Sequence, residues 1–472
     1  MKKQTLRALM ATLVFTAACN EGLSAPSVDN LVAGTAQPIQ NLVTGIIADD
    51  RAVGSTFVYL LFPETMARNT VRIDPNEPRF INELINVPID NSDFIGAAGW
   101  TGNYQIVRTV QQLLASPSFT TLSAGDQSAT AGFVRTLAAL EYLREVQLRD
   151  TVGEVIQGPN PSVNDPIRTK TAVLAYTSAL LDSAFAQLTS AGVSASFPFT
   201  LPSGYTQSGD FTTTATFARF NRGLKGEVEV MRGLDHQSPC TTCFATAITA
   251  LNTAIGSLGA APSATQLQFG PYYQYNPSAP ESFTSPLVDN HIFLTNNFVS
   301  SIQAGDKRAA KIVTAATPSS SVSGLQLTFR DPITDPTIGA NLTRPIALRR
   351  AADWYLFRAQ AEAESGNLAA ATADVNAVHV GEGGLAALPT FASVAAARQQ
   401  ILYEMRYSLV YEGPYYLTAL REYSAFNRAY VTQPGMPSVS SDPTHSNDAL
   451  IRALPIPSGE AAARGGNITP QP

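Results

Sequence analysis

Residues 348–385, LRRAADWYLFRAQAEAESGNLAAATADVNAVHVGEGGL, constrain the fold more than any other stretch. A Gly366-Asn367 turn divides two helical patterns. Before it, Ala347, Ala351, Trp354, Arg358 and Ala361 recur at the three-and-four spacing of one helix face. After it, Ala370, Ala373 and Ala377 form a slim stripe. A methyl-sized side chain leaves no bulk between backbones, so the pattern predicts two helices in close approach.

The same grammar recurs upstream. Pro38–Asp50 reads as a short amphipathic helix, and residues 51–94 as loops with one or two helical turns. Trp100 opens a strong helix with Tyr104, Val107, Val110, Gln111 and Leu114 on one face, and Pro117 ends it. Ala124–Leu148 turns Phe133, Leu137, Leu140 and Val146 inward; Thr169–Ala191 puts Val173, Tyr176, Leu180, Ala184 and Leu188 in register. Phe217–Arg232 and Phe244–Leu258 make the next pair. Trp354, Phe357, Ala370 and Ala377 fall on the spacing of one tetratricopeptide-type pair. Recurrent pairs predict a mainly α, solenoid-like scaffold in which each pair buries its stripe against neighbours. Residues 269–344 break the rhythm: they are rich in Pro, Ser, Thr, Asn and aromatics, with Leu325–Arg330 a candidate strand. An insertion of this length is far longer than an ordinary connection and is commonly functional. Gly435–Asn447 is a further loop. The fold expected is therefore mainly α with long irregular loops and a few short strands. It forms one domain over residues 37–472, with helical parts at 37–268 and 345–472 around the insertion.

The N-terminus carries Lys2, Lys3 and Arg7, then an apolar run from Ala8 to Ala18. That is the length of a signal peptide and too short to span a bilayer. Phe15-Thr16-Ala17-Ala18-Cys19 resembles a lipobox with Thr16 in place of Leu or Val, which makes residues 1–18 a lipoprotein signal and Cys19 the lipidated residue. Residues 19–36 read as a flexible Ser-, Ala-, Gly- and Pro-rich tether. A net charge of -6 with 14% charged residues gives no clustered basic excess, so nothing supports nucleic-acid binding.

A second block, Ile401–Arg421, reads ILYEMRYSLVYEGPYYLTALR. Together the two C-terminal blocks resemble the SusD/RagB family, surface lipoproteins that capture nutrients, mostly glycans, beside a TonB-dependent outer-membrane channel. The matching residues are Arg350, Ala352, Asp353, Ala361, Glu362, Ala363, Asn376, Gly384 and Leu385 in the first block. In the second they are Glu404, Leu409, Glu412, Gly413, Leu420 and Arg421. Met405, Ser408, Tyr415 and Thr418 stand where the family carries charges. Residues 133–137 with 152–155, and Ala453-Leu454-Pro455-Ile456-Pro457 with Glu460, are similar to further family stretches; Gln111 replaces a usual Asn. The resemblance implies a lipid-anchored outer-membrane protein facing outside. It would have no catalytic residues and would pass a bound oligosaccharide or other small nutrient to a SusC-like transporter. The alternative is an envelope helical-repeat scaffold that binds a protein or peptide partner.

Candidate chemistry is sparse. Cys240 and Cys243 read as a disulfide that pins a loop between helices in an oxidising compartment. A metal site with His236 lacks a visible fourth ligand, a redox pair lacks the βαβ context, and free thiols are the remaining alternative. His236, His291, His379 and His445 share no spacing, and no nucleophile elbow or HExxH helix is present. A glycan site needs flat apolar faces for the C–H side of a sugar and nearby polar groups for its hydroxyls. Tyr272, Tyr273, Tyr275, Asn276 and Phe283 offer that chemistry, or else plug their loop onto the frame. Asn69, Arg72, Asn76 and Arg79 form a second candidate, placed where family members contribute ligand contacts. Trp100 and Trp354 read as packing. No cofactor is called for; the resemblance leaves room for calcium on loop Asp, Asn and Gly residues, although no EF-type loop occurs.

Overall fold

The computed structural model describes residues 37–86, 88–160, 164–278, 283–438 and 450–472. The leader, Cys19 and its tether, and His445 within the 435–447 loop lie outside them. Side-chain oxygens start half of the ten main helices by accepting orphan backbone N–H groups. Ser123 caps α3 (Ala124–Arg149), Thr169 caps α4 (Lys170–Thr189) and Thr213 caps α5 (Thr214–Gly233). Asn367 caps α8 (Leu368–Gly381) and Ser393 caps α9 (Val394–Ser408). With α1 (Gln37–Gly54), α2 (Trp100–Ala115), α6 (Cys243–Ile255), α7 (Ala351–Glu364) and α10 (Tyr415–Glu422), these helices each pack on the next in sequence. The stack passes directly from α6 to α7, so the intervening insertion is looped out without breaking it. One hydrophobic core runs from Ile39 on α1 to Ile456 near the C-terminus.

The predicted hairpin is present, with its packed faces revised. α7 is buried on nearly every side, and only Arg358 among its central residues is half-buried, where it pairs with Asp374 of α8. Ala347 belongs to a strand. On α8 Ala371, Val375, Val378 and, as expected, Ala377 are buried, while Ala373 is exposed and Ala370 half-buried. A helix with alanine at so many positions fits several stripes, and the bulkier valines select the one that burial rewards. The slim surface lies instead on α5: a Cβ at Gly223 would meet the Trp354 indole, and at Gly226 the Leu251 side chain. On α4 the inward face is Val173, Leu174, Thr177, Leu181, Ala184 and Leu188, and Tyr176 points outward.

Short strands tie the insertion down. β1 (Thr70–Arg72), β5 (Ile292–Leu294), β7 (Phe329–Arg330) and β6 (Val313–Thr314) form one antiparallel sheet in that order. β4 (Tyr272–Tyr273) pairs with β8 (Ile346–Ala347), and β2 (Glu154–Val155) with β3 (Ile167–Arg168). A satellite core of Val71, Ile73, Ile81, Ile85, Phe293 and Leu327 lies against the larger sheet. Cys240 and Cys243 are joined as a disulfide at the entry to α6.

Buried ion pairs are present although Met405, Ser408, Tyr415 and Thr418 carry no charge. Arg349 on the α7 entry donates to Glu227 of α5 at 2.8 Å. Arg350 pairs with Glu412 at 2.6 Å and with Glu382. Ser408, in place of a charge, accepts from Arg308 at 2.7 Å.

Candidate functional site

The β1–β5 ladder builds the site. Its register sets Arg72 opposite Ile292, beside the turn that leads into β5. There Arg72 Nε donates to Asp289 Oδ2 at 2.6 Å, and Nη1 lies 2.9 Å from Asp74 Oδ2. Asp289 Oδ1 also accepts the His291 backbone N–H at 2.8 Å and faces its Nδ1 at 2.8 Å. Burial alone would raise the Asp289 carboxyl; the Arg72 guanidinium and the His291 N–H outweigh it and hold the group below its ordinary range.

Aromatic rings surround these charges. The Arg72 guanidinium sits 4.6 Å above Phe80 and 5.8 Å from Phe57. Phe80 meets Phe57 and Phe94 edge-on at 5.9 and 5.5 Å. Phe94 is 44% exposed, and the Arg79 guanidinium lies 4.5 Å over its ring. Glu77 at 2.6 Å and Asp93 at 3.3 Å hold Arg79 in place. The result is a wet, flat ring framed by guanidinium and carboxylate groups.

Beneath it, burial and then the neighbouring Asp93 carboxylate push Glu83 up to about 7. A folded-state value above the unfolded one means the folded chain holds a proton that the unfolded chain releases. The stability from this site is complete below about pH 4.5 and is lost as pH rises through about 7. Glu83→Gln is therefore expected to be more stable than the parent at pH 8 and indistinguishable near pH 4. Urea unfolding across pH checks this, and a gap that does not widen with pH would refute it.

The aromatic loop packs on Arg51, six residues before Phe57. Arg51 sits 4.9 Å over Phe283 and donates to the Gln274 carbonyl at 3.0 Å. Phe283 stacks on Tyr275 at 5.9 Å and bridges to Asn276 through backbone. Tyr275 is buried, Phe283 half-buried and Asn276 exposed. Tyr273 is buried with its hydroxyl on Arg144, which also holds Asp50 and Glu141. Tyr272 is half-buried and donates to the Gln268 carbonyl at 2.8 Å. Asn69 is fully buried between Glu64 and Arg406, and Asn76 is exposed on a turn made by Asp74.

The structure thus gathers Arg72 and Arg79 around Phe80 and Phe94, and Tyr275, Asn276 and Phe283 beside Arg51. It sets Asn69, Tyr272 and Tyr273 into the frame. Sequence reasoning missed Phe57, Phe80, Phe94, Asp289 and His291. Arg72 and Asp289 are 217 residues apart, and no local pattern announces a pairing across that distance.

Neither a family model nor a curated protein sequence matches the chain. Solved structures do. A SusD superfamily protein from Parabacteroides distasonis aligns with TM-score 0.65 at 14% identity, over 92% of this chain and 98% of its own. B. fragilis NanU aligns with TM-score 0.65 at 15% identity, over 92% and 96%. A SusD-like carbohydrate-binding protein from Bacteroides vulgatus aligns with TM-score 0.59 at 14% identity, over 83% and 84%.

Proposed function

We propose, from a chain with the fold of the SusD superfamily, that this protein is a non-catalytic receptor that holds an oligosaccharide against the rim built on Phe94, Arg79 and Arg72. The observation that carries the reading is the half-exposed Phe94 ring beneath the Arg79 guanidinium. An exposed ring accepts the C–H face of a sugar, and the surrounding charged groups serve its hydroxyls. Likeness to a structure described as a SusD-like carbohydrate-binding protein supports the ligand class. In this reading Cys19 anchors the chain by lipid to the outer membrane, facing outward. A SusC-like TonB-dependent transporter receives the ligand. Among the described residues no helix is long and apolar enough to cross a membrane.

Calorimetric titration of the soluble form with a panel of oligosaccharides tests this. Phe94→Ala is expected to weaken binding roughly tenfold, the loss of one aromatic stacking contact. Arg79→Ala should weaken it in the same direction. Binding of peptides with no response to any saccharide would favour the scaffold alternative; saccharide binding indifferent to Phe94 would remove the rim from the site.

A further inference from the structure

A cleft of about 380 Å³ opens between the first turns of α2, the segment that follows β2, and the C-terminal helix Ser458–Ala463. It shares no side chain with the rim, and its size is in the range of ligand pockets. Trp100 and Tyr104, in edge-on contact at 5.0 Å, form an apolar floor. Four charged groups stand on the walls and are already balanced. Arg464 Nε donates to Glu460 at 2.7 Å, and its Nη1 donates to the Asp165 carbonyl. Arg108 Nη1 donates to Gln111 at 2.8 Å and to the Gly158 and Pro159 carbonyls at 3.1 Å. Asp165 Oδ2 accepts the Gly158 N–H at 2.7 Å. Two cations and two anions leave the walls with no net charge with which to select an ion.

Directional groups remain. Gln157 lines the wall, and its Oε1 is enclosed there with no donor among the described residues, so a donor reaches it only when the amide turns toward the cleft. A buried acceptor in that state is destabilising until a donor reaches it. The Asn164 amide and the Thr101 hydroxyl stand alongside. An apolar floor under neutral, mixed donor–acceptor walls fits an uncharged polyhydroxylated ring, whose C–H face covers carbon and whose hydroxyls both donate and accept. We propose that this cleft is a second saccharide site, separate from the rim. The assignment rests on the reading of the protein as an oligosaccharide receptor. Two sites on one chain would let a longer glycan bind with avidity beyond either alone.

The chain has two tryptophans, and that makes the test specific. Trp100 lines the cleft, while Trp354 is fully buried in the core. Titration with hexoses, N-acetylhexosamines and their disaccharides is expected to give a saturable change in tryptophan emission. Phe94→Ala should leave that change intact. Thr101→Phe, which fills the cleft from an exposed helix position, and Gln157→Leu should each weaken it at least tenfold. Calorimetric binding sensitive to Phe94, with no emission change, would overturn the cleft and leave the rim standing. An emission change lost in Thr101→Phe, with no effect of Phe94→Ala on any heat, would remove the rim and leave the cleft. No heat and no emission change with any saccharide would overturn both. An emission response to free amino acids or dipeptides in place of sugars would overturn the ligand class.

Discussion

Trp354→Ala is expected to lower the free energy of unfolding by about 3–5 kcal/mol, the range for deleting a large aromatic from a packed core. Trp354 is fully buried on α7, the helix that the others surround. Its ring abuts the bare backbone of Gly223 on α5 and meets Phe269 edge-on at 5.9 Å. A helix backbone cannot move inward to fill a void the way a flexible side chain can, so the cavity would persist. The indole Nε1 is buried without a partner among the described residues, a cost of about 1–3 kcal/mol that the parent already carries. Trp354→Phe deletes that orphan donor while keeping most of the ring. It should therefore lose less than half of what alanine loses. Urea unfolding of both variants decides; equal losses would mean that the ring's volume at this position does not set the stability. Gly223→Leu should fail for the complementary reason, since its side chain and the indole claim the same space.

The legible parts of this molecule were those written in local periodicity. The stripes expected over Ala124–Leu148 and Thr169–Ala191 are helices capped by Ser123 and Thr169, whereas the helix expected from Phe217 starts at Thr214 because Thr213 caps it. The Gly366-Asn367 turn is equally plain, because Gly366 adopts a φ of 80° and Asn367 caps the next helix. What periodicity could not resolve was the choice among stripes in alanine-rich helices, where hydrophobicity differs little from face to face. Ala370 and Ala373 were expected inward on α8, and Val375 and Val378 took that place. The rim was half legible. Arg72 and Arg79 belong to an N-terminal segment that the family resemblance flagged. Asp289, His291 and the role of Phe94 depend on a three-residue ladder between β1 and β5, too short to leave a strand signature in either segment. Composition also misled at the tyrosines. An aromatic-rich insertion looks like a binding loop whether its rings face water or fasten it down, and Tyr273 does the latter through Arg144.

Arg308 is the corresponding fastener at the middle of the insertion, and Arg308→Ala should cost about 3–5 kcal/mol, the penalty for leaving buried carboxylates without their cation. Arg308 Nη1 donates to Glu404 Oε2 at 2.6 Å and to Ser408 Oγ at 2.7 Å on α9, and Nη2 to Asp306 at 2.7 Å. Glu404 is fully buried and also contacts His379 Nδ1 at 2.7 Å. Burial pulls the Arg308 guanidinium down, and Asp306 and Glu404 overcome that and hold it above its ordinary range. Salt screens such a pair little, so the loss should persist at high ionic strength. Adding Glu404→Leu to an Arg308→Met background removes the stranded Glu404 charge but leaves Asp306 with only its Tyr403 and backbone donors and takes the acceptor from His379, so part of the stability should return. A loss below about 1 kcal/mol in the alanine variant would show that water or a relaxed side chain replaces the guanidinium. The functional consequence follows from the same connection. The insertion that Arg308 clamps to α9 carries β5, and β5 is preceded by Asp289 and His291 of the rim. Loosening the clamp should therefore weaken saccharide binding at the Phe94 platform although Arg308 touches neither the rim nor the cleft. Calorimetry on Arg308→Ala at a temperature where it remains folded would read that coupling directly, and unchanged affinity would confine Arg308 to stability alone.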